Sequence, residues 1–483
     1  MMTIQLLLAG EATAAEHEAT FTRTNPLSSE VVTTAAAASA GDAQRAADVA
    51  SQAFDVWSQT GPGERRAKLL KAAELMEARQ GDFIDRMVEE TGATVGWAGF
   101  NVKVAADVLR EAAALTTQIQ GDIIPSNVPD SMAMGVRTPC GVVVGIAPWN
   151  APIILGTRAL ATPLACGNSV ILKASEQCPA THHLIGEVLQ EAGFGDGIVN
   201  VITNAPDNAA EVVGALIAHP AVRRINFTGS TGVGKIIAEQ ASRYLKPVLL
   251  ELGGKAPLLV LEDADIEAAV DAAIFGAFFN QGQICMSTER VVVDHRIADA
   301  FVDKFAARAQ ALKAGNPRDE RNTLGTLINA QSGEKLNSLL NDAVSKGARV
   351  AAGGKAEGVV MQATVVDGVT RDMRLYSEES FGPVVAVMRV SGDEEAIRIA
   401  NDSEYGLSSA VFSRDSARAM KVARRLQTGI CHINAPTVHD EPQMPFGGTK
   451  SSGYGRFGGK AGIEEFTELR WMTMQLGPRH YPI

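Results

Sequence analysis

One cysteine, Cys285, stands in the polar stretch Asn280-Gln281-Gly282-Gln283-Ile284-Cys285-Met286-Ser287-Thr288, between two apolar runs. As a thiolate, such a sulfur attacks carbonyl carbon and forms covalent adducts that can later be released. A bare cysteine is more often core filling than a nucleophile. The setting argues for chemistry, because Gly282 lets backbone approach a ligand closely and the flanking glutamines suit a site better than a core.

Other groups follow strand-like runs at intervals along the chain. Gly229-Ser230-Thr231-Gly232-Val233-Gly234-Lys235 comes after a strand ending at Thr228 and opens an apolar helix. Free backbone N–H groups and the positive end of the helix dipole suit a phosphate there. The loop nearly matches G-x-x-x-x-G-K-[ST] but carries Ile236 where a Mg²⁺-binding hydroxyl is required, and it is not a G-x-G-x-x-G fingerprint. Lys173-Ala174-Ser175-Glu176 ends another strand. A carboxylate at Glu176 can accept both hydroxyls of a ribose and repels a 2′-phosphate, favouring NAD over NADP, although an acid near a helix start has the same look. Asn150 in Pro148-Trp149-Asn150 offers an amide donor of the kind that stabilises an oxyanion. Glu251, at the end of Val248-Leu249-Leu250, is either a desolvated general base or a surface acid. Glu379-Ser380-Phe381-Gly382-Pro383 says little alone.

The elements that must position these groups alternate between strands and helices, the pattern of α/β domains with parallel sheets. Residues 141–146, 169–173 and 224–228 read as strands, 181–192 and 208–218 as helices, and Ile4 to Ala9 as a first strand. A second α/β series runs from Ala256 to about Val438, with a seam near Glu251 to Lys255. Gly121 to Thr138 breaks the alternation and reads as a hairpin standing off the first domain; together with the apolar tail from Phe466 to Ile483 it suggests subunit association.

Composition narrows the class. At 483 residues the chain should hold two or three domains, and 46% hydrophobic with 20% charged residues is an ordinary globular balance. The net charge of −11 disfavours a nucleic-acid partner. Five scattered cysteines without C-x-x-C pairing argue against disulfides and a metal site and for a reducing compartment. No apolar run is long enough for a membrane helix and no basic leader precedes Ile4, so a cytoplasmic protein without membrane contact is expected.

Taken in order, Pro148-Trp149-Asn150, Lys173 to Glu176, Phe227 to Thr231, Glu251-Leu252-Gly253-Gly254-Lys255, Gly282 to Cys285, Glu379 to Pro383 and Pro445-Phe446-Gly447-Gly448 resemble the NAD(P)-dependent aldehyde dehydrogenases, over residues 5 to 475. The resemblance implies an α/β fold with three parts. A Rossmann-variant NAD-binding domain takes residues 1–120 and 139–251, an α/β catalytic domain takes 252–465, and a small β oligomerisation element, building a homodimer or tetramer, takes 121–138 and 466–483. It further implies that Cys285 attacks the aldehyde, that Asn150 and the Cys285 N–H hold the oxyanion, and that Glu251 activates the water that hydrolyses the thioester to a free acid. Lys173 and Glu176 would bind the adenosine ribose of NAD, Gly229, Ser230 and Trp149 the pyrophosphate, and Glu379 with Phe381 the nicotinamide ribose. No metal is implied.

Two departures stand out. Thr203-Asn204-Ala205-Pro206 replaces glycines found in many relatives, with Asn204 able to take a left-handed turn. Arg158-Ala159 stands where relatives carry an aromatic residue and a lysine. Arg158 either reaches a polar or anionic substituent of the substrate or pairs with a nearby acid. Trp97, Phe100, Phe278, Phe279, Ile284, Met286 and Phe446 are candidates for an apolar substrate wall. The Cys285 segment resembles the subgroup acting on aromatic aldehydes, with salicylaldehyde as the expected substrate and vanillin or benzaldehyde as alternatives. The rival from residue types alone is a cysteine hydrolase that pairs Cys285 with one of the eight histidines; a structural scaffold built on this fold is a further one.

Overall fold

A computed structural model describes residues 1–483. The chain builds two large sheets of short strands that are largely buried because helices cover both faces. In the first, the order across the sheet is Gly453–Tyr454, Val248–Glu251, Val222–Thr228, Val142–Ile146, Ser169–Lys173, Val199–Ile202, Leu6–Leu8 and Glu11–Thr13. The five central strands are parallel. From Val142–Ile146 the chain adds strands on one side and then crosses to add Val222–Thr228 and Val248–Glu251 on the other. That reversal opens a crevice beyond the C-terminal ends of these strands, where ligands bind in doubly wound sheets.

The second sheet has seven strands, in the order Arg349–Ala352, Thr364–Asp367, Val384–Val390, Thr288–Asp294, Ala256–Val260, Ala410–Phe412 and His432–Ile433. Only the pair at its Arg349 edge is antiparallel. Thr467–Gln475 and Asp122–Ile124 flank Ser131–Pro139 in a separate antiparallel ribbon. No helix is long and apolar enough to cross a membrane.

The structure differs from the sequence pattern in three places. The run from Ile4 to Ala9 is not one strand. Met2–Ile4 pairs with Val31–Ala36 in a small sheet, and Leu6–Leu8 joins the edge of the first large sheet, the break falling at Gln5. Gly453–Tyr454, assigned by sequence to the second domain, returns to pair with Val248–Glu251, and the helix Gly459–Glu465 packs on the helices of the first domain. Asn204 keeps a negative φ instead of the left-handed turn. Its side chain donates to the Ala205 carbonyl at 2.8 Å, while Thr203 ties the turn to Ala36 at 2.6 Å.

The helix Pro152–Ala165 is buried along its whole length. Its apolar neighbours form one continuous cluster that also takes in Ile284, Met286 and Phe446 from the other half of the chain. The loop carrying Cys285 therefore sits where the two domains meet. It reaches that position by an unusual backbone: Asn280, Gln281 and Gly282 follow one another at φ 47°, 55° and 66°, all left-handed. Gln281 and Gln283 each donate to the Thr326 carbonyl, at 3.0 and 3.2 Å, and Ile328 N–H donates back to Gln283 Oε1 at 3.1 Å. These glutamines are buried structural ties. A Cβ on Gly282 would lie 2.2 Å from the Gly382 carbonyl oxygen, so both conformation and space require glycine there. Gly282→Ala should destabilise the fold by about 2–4 kcal/mol, combining left-handed strain with overpacking. Thermal unfolding should show a lower midpoint and thiol titration an altered Cys285; wild-type behaviour in both would show that the loop tolerates a methyl group.

Candidate active site

Two cavities meet at Cys285. The first, about 200 Å³, opens at the strand ends of the first sheet. Trp149 and Asn150 enter it from the turn after Val142–Ile146, Gly229 and Ser230 from the turn after Val222–Thr228, and Glu251 from the end of Val248–Glu251. Glu379 and Phe381 close it from the second domain. Ser230 caps the helix Thr231–Ser242, accepting from Val233 N–H, so the free N–H groups of the first turn face this crevice. Phe381, itself left-handed at φ 52°, meets the Trp149 ring edge-on at 5.8 Å. Lys173 and Glu176 lie outside this cavity, at the end of the adjacent strand Ser169–Lys173, with Nζ 3.4 Å from the carboxylate.

The second cavity, about 310 Å³, is lined chiefly by apolar side chains. Trp97, Phe100, Ile284, Met286 and Phe446 all border it, and so does Arg158. Trp97 stacks on Phe100 at 5.4 Å and meets Phe279 edge-on at 4.7 Å. Phe278 does not belong to this wall. It stacks on Phe305 in the core of the second domain, because one residue's rotation about the helix turns it away from Phe279. Phe275, missed in the sequence, stacks on Phe279 at 4.8 Å, and the i, i+4 spacing was the available signal. Val438, His439 and Asp440 also line the cavity, brought in by a loop that Thr437 fixes to the Met286 carbonyl at 2.7 Å. No sequence signal marks them.

Asn150 joins the two halves. Its side-chain nitrogen donates to the Gln283 carbonyl at 3.0 Å, and its own carbonyl accepts from Asn280 Nδ2 and Trp97 Nε1, both at 3.0 Å. One amide hydrogen remains for a ligand. Glu251 is buried with neither carboxyl oxygen hydrogen-bonded. Burial pushes its pKa up to about 8, with the Cys285 thiol and the Arg158 charge pulling modestly the other way. Burial also holds the Cys285 thiol well above its usual range, and the neighbouring Glu251 charge adds to this. Both groups are thus favoured in their neutral forms at pH 7, Glu251 through burial and Cys285 through burial and the adjacent carboxylate.

The Glu379 turn is set by a buried ion pair. Lys255 Nζ lies 2.6 Å from Glu289, which also accepts the Ser380 and Phe381 N–H groups at 3.0 Å. Glu379 in turn accepts Gly254 N–H at 2.8 Å, and burial raises its pKa to about 7. Arg158 pairs with Asp440 and lies over the Phe446 ring, 4.8 Å from its centroid. Of the eight histidines only His439 borders either cavity, and Glu441 holds it at 2.9 Å. No group of three or more His, Cys, Asp or Glu side chains is arranged to hold a metal ion.

A thiol, an amide donor and a buried carboxyl at the junction of a polar crevice and an aromatic pocket can carry out acyl chemistry on a carbonyl compound. Similar proteins have the same arrangement of chain. A vanillin dehydrogenase of Pseudomonas fluorescens is 61% identical over the full length of both chains. The crystal structure of a salicylaldehyde dehydrogenase from Pseudomonas putida G7 complexed with salicylaldehyde superposes over 100% of both chains with a TM-score of 0.98, at 50% identity. A betaine aldehyde dehydrogenase from Staphylococcus aureus in complex with NAD+ superposes with a TM-score of 0.95 at 33% identity, covering 99% of this chain and 96% of its own. The pattern of the aldehyde dehydrogenase family spans residues 13–472, and the chain belongs to that family.

Proposed function

We propose that this enzyme oxidises an aromatic aldehyde to the carboxylic acid with NAD, through a covalent adduct on Cys285. The observation that carries the reading is the single sulfur at the junction of two cavities, one with a helix N-terminus and a carboxylate for a dinucleotide, the other walled by aromatic rings. Attack by Cys285 on the carbonyl carbon gives a thiohemiacetal, whose oxyanion takes the spare Asn150 amide hydrogen and the Cys285 N–H. When bound, NAD+ supplies the hydride acceptor that turns this adduct into a thioester. Glu251 then removes a proton from the water that hydrolyses the thioester. Gly229, Ser230 and Trp149 take the pyrophosphate, Glu379 and Phe381 the nicotinamide ribose, and Lys173 and Glu176 the adenosine ribose. The first sheet thus serves as the NAD-binding domain and the second as the catalytic domain.

The aromatic pocket supports a ring-bearing substrate, as do the relatives named for salicylaldehyde and vanillin. Salicylaldehyde is the first reading, because Arg158 can reach a ring hydroxyl; the 61% identity to a vanillin dehydrogenase favours vanillin as the second. Purified enzyme with NAD and benzaldehyde-type substrates should give a rising NADH absorbance, faster than with NADP and lost in Cys285→Ser. No rise with any aromatic aldehyde refutes the reading.

Because Glu251 must lose its proton to act, steady-state turnover limited by thioester hydrolysis should climb with pH, with a midpoint at about 8. Glu251→Gln should release one equivalent of NADH per site and then stall. A flat profile from pH 6 to 9 in the wild type, or undiminished turnover in the variant, removes Glu251 from the base role.

The ribbon Asp122–Ile124, Ser131–Pro139 and Thr467–Gln475 leaves its two edge strands unpaired on their outer sides, and Ile123, Leu469, Trp471, Met474 and Leu476 are exposed there. An edge of this kind invites pairing with another chain, and supports a homodimer or tetramer built through the ribbon. Light scattering should find wild-type protein oligomeric and a Leu469→Lys/Trp471→Glu variant reduced in mass. A monomeric wild type contradicts this assembly.

A further inference from the structure

Arg158 and Asp440 meet in the wall of the apolar cavity through one contact, Nη2 to Oδ2 at 2.5 Å. A guanidinium and a carboxylate often pair side by side with two parallel hydrogen bonds. Here only one forms, and a nitrogen and an oxygen are left over. Arg158 Nη1 and Asp440 Oδ1 are both shielded from water and without a hydrogen-bond partner. Their side chains are 7% and 14% exposed, so bulk solvent does not compensate. The Phe446 ring fixes the guanidinium from its face. His439 is engaged by Glu441 and does not compete for the carboxylate.

An unpaired buried donor beside an unpaired buried acceptor favours a ligand group that gives one proton and takes one. A carboxylate substituent would face the charge of Asp440, and an ammonium the charge of Arg158. A methyl ether accepts but cannot donate. Free water has the right inventory, but the rest of the cavity is mostly aromatic and aliphatic and offers few further partners to hold it. A hydroxyl carried on a ring brings both: the ring fills the apolar space and the hydroxyl meets the pair.

We infer that Asp440 Oδ1 and Arg158 Nη1 together bind a ring hydroxyl of the substrate, making Asp440 a specificity-determining residue that selects hydroxylated aromatic aldehydes. The inference rests on the proposed aromatic-aldehyde activity and on a small pivot of the two side chains toward the cavity. Arg158 alone would donate to a methoxy oxygen as readily as to a hydroxyl oxygen. The acceptor atom of Asp440 is what tells them apart.

The test compares 2-, 3- and 4-hydroxybenzaldehyde with their methoxy counterparts and with benzaldehyde, using NAD and the full-length enzyme. At one ring position the hydroxyl substrate should exceed both the methoxy compound and benzaldehyde by ~10- to 100-fold in kcat/KM, the range of one hydrogen bond to a charged group. Asp440→Ala should bring the hydroxyl-to-methoxy ratio close to one. Equal kcat/KM across every hydroxyl and methoxy pair in the wild type, or an unchanged ratio in the variant, overturns the inference while benzaldehyde oxidation still stands. Loss of all benzaldehyde turnover in the wild type is instead the failure of the proposed activity itself. If Asp440→Ala does not fold, calorimetric binding of the same pairs to Cys285→Ser protein decides: tighter binding of the hydroxyl compound supports the assignment, and equal binding overturns it.

Discussion

Two asparagine amides fasten the halves of this molecule together at the point where its reactive groups converge. Asn150, at the end of a strand in the first sheet, donates to the Gln283 carbonyl, and Asn280, in the loop leading to the second sheet, donates back to the Asn150 carbonyl. Each domain has its own core, and neither alone contains a complete constellation. Asn150 and Glu251 belong to the first sheet and Cys285 to the loop before Thr288–Asp294 of the second. An active site assembled across a seam needs its register fixed to fractions of an ångström. Reciprocal hydrogen bonds between buried amides achieve this better than apolar contact, which is non-directional. The three left-handed residues from Asn280 to Gly282 follow from that requirement, since an ordinary helical exit would not turn the chain back toward Asn150.

The same seam explains the electrostatics. Burial between the two halves removes the water that would keep the Glu251 carboxylate ionised and provides no N–H donor in exchange. Glu289, also buried, has a structural use: it accepts from the Ser380 and Phe381 N–H groups and pairs with Lys255. Glu251 accepts no N–H group, the condition under which a buried carboxyl is basic enough to take a proton from water near neutral pH. On the proposed mechanism the two glutamates serve opposite purposes. The difference lies in the donors each one faces, since both are buried.

Much of the fold was legible because parallel strands buried on both faces read as short apolar runs. Ser169–Lys173 and Ala256–Val260 have the bounds their sequences imply. Gly453–Tyr454 was not, since a strand of two residues leaves no periodicity and owes its pairing to distant chain, and Leu6–Leu8 was legible only as part of a longer run. The site was legible where a side chain follows a strand end, as with Asn150, Glu251 and Ser230. Gln281 and Gln283 looked like ligand contacts and prove to be internal ties, because amide side chains serve backbone and ligand equally well. Phe275 was available from helical phase. Asp440 was not, because a single acid in a loop carries no pattern and acquires meaning only when the chain brings it to Arg158.

For Arg158 the sequence left two readings open, a substrate contact or an ion pair, and the geometry allows both to hold together. Nη2 is spent on Asp440 and Nη1 is not. A free guanidinium in an aromatic cavity would be costly to desolvate and poorly oriented, whereas one anchored by a carboxylate and a ring face is held in place without exhausting its donors. The pairing with Asp440 is therefore what makes a buried arginine tolerable in that wall. A single-contact pair gives up part of its own strength so that polar atoms remain for a third party, an arrangement that favours a binding role over a purely structural one.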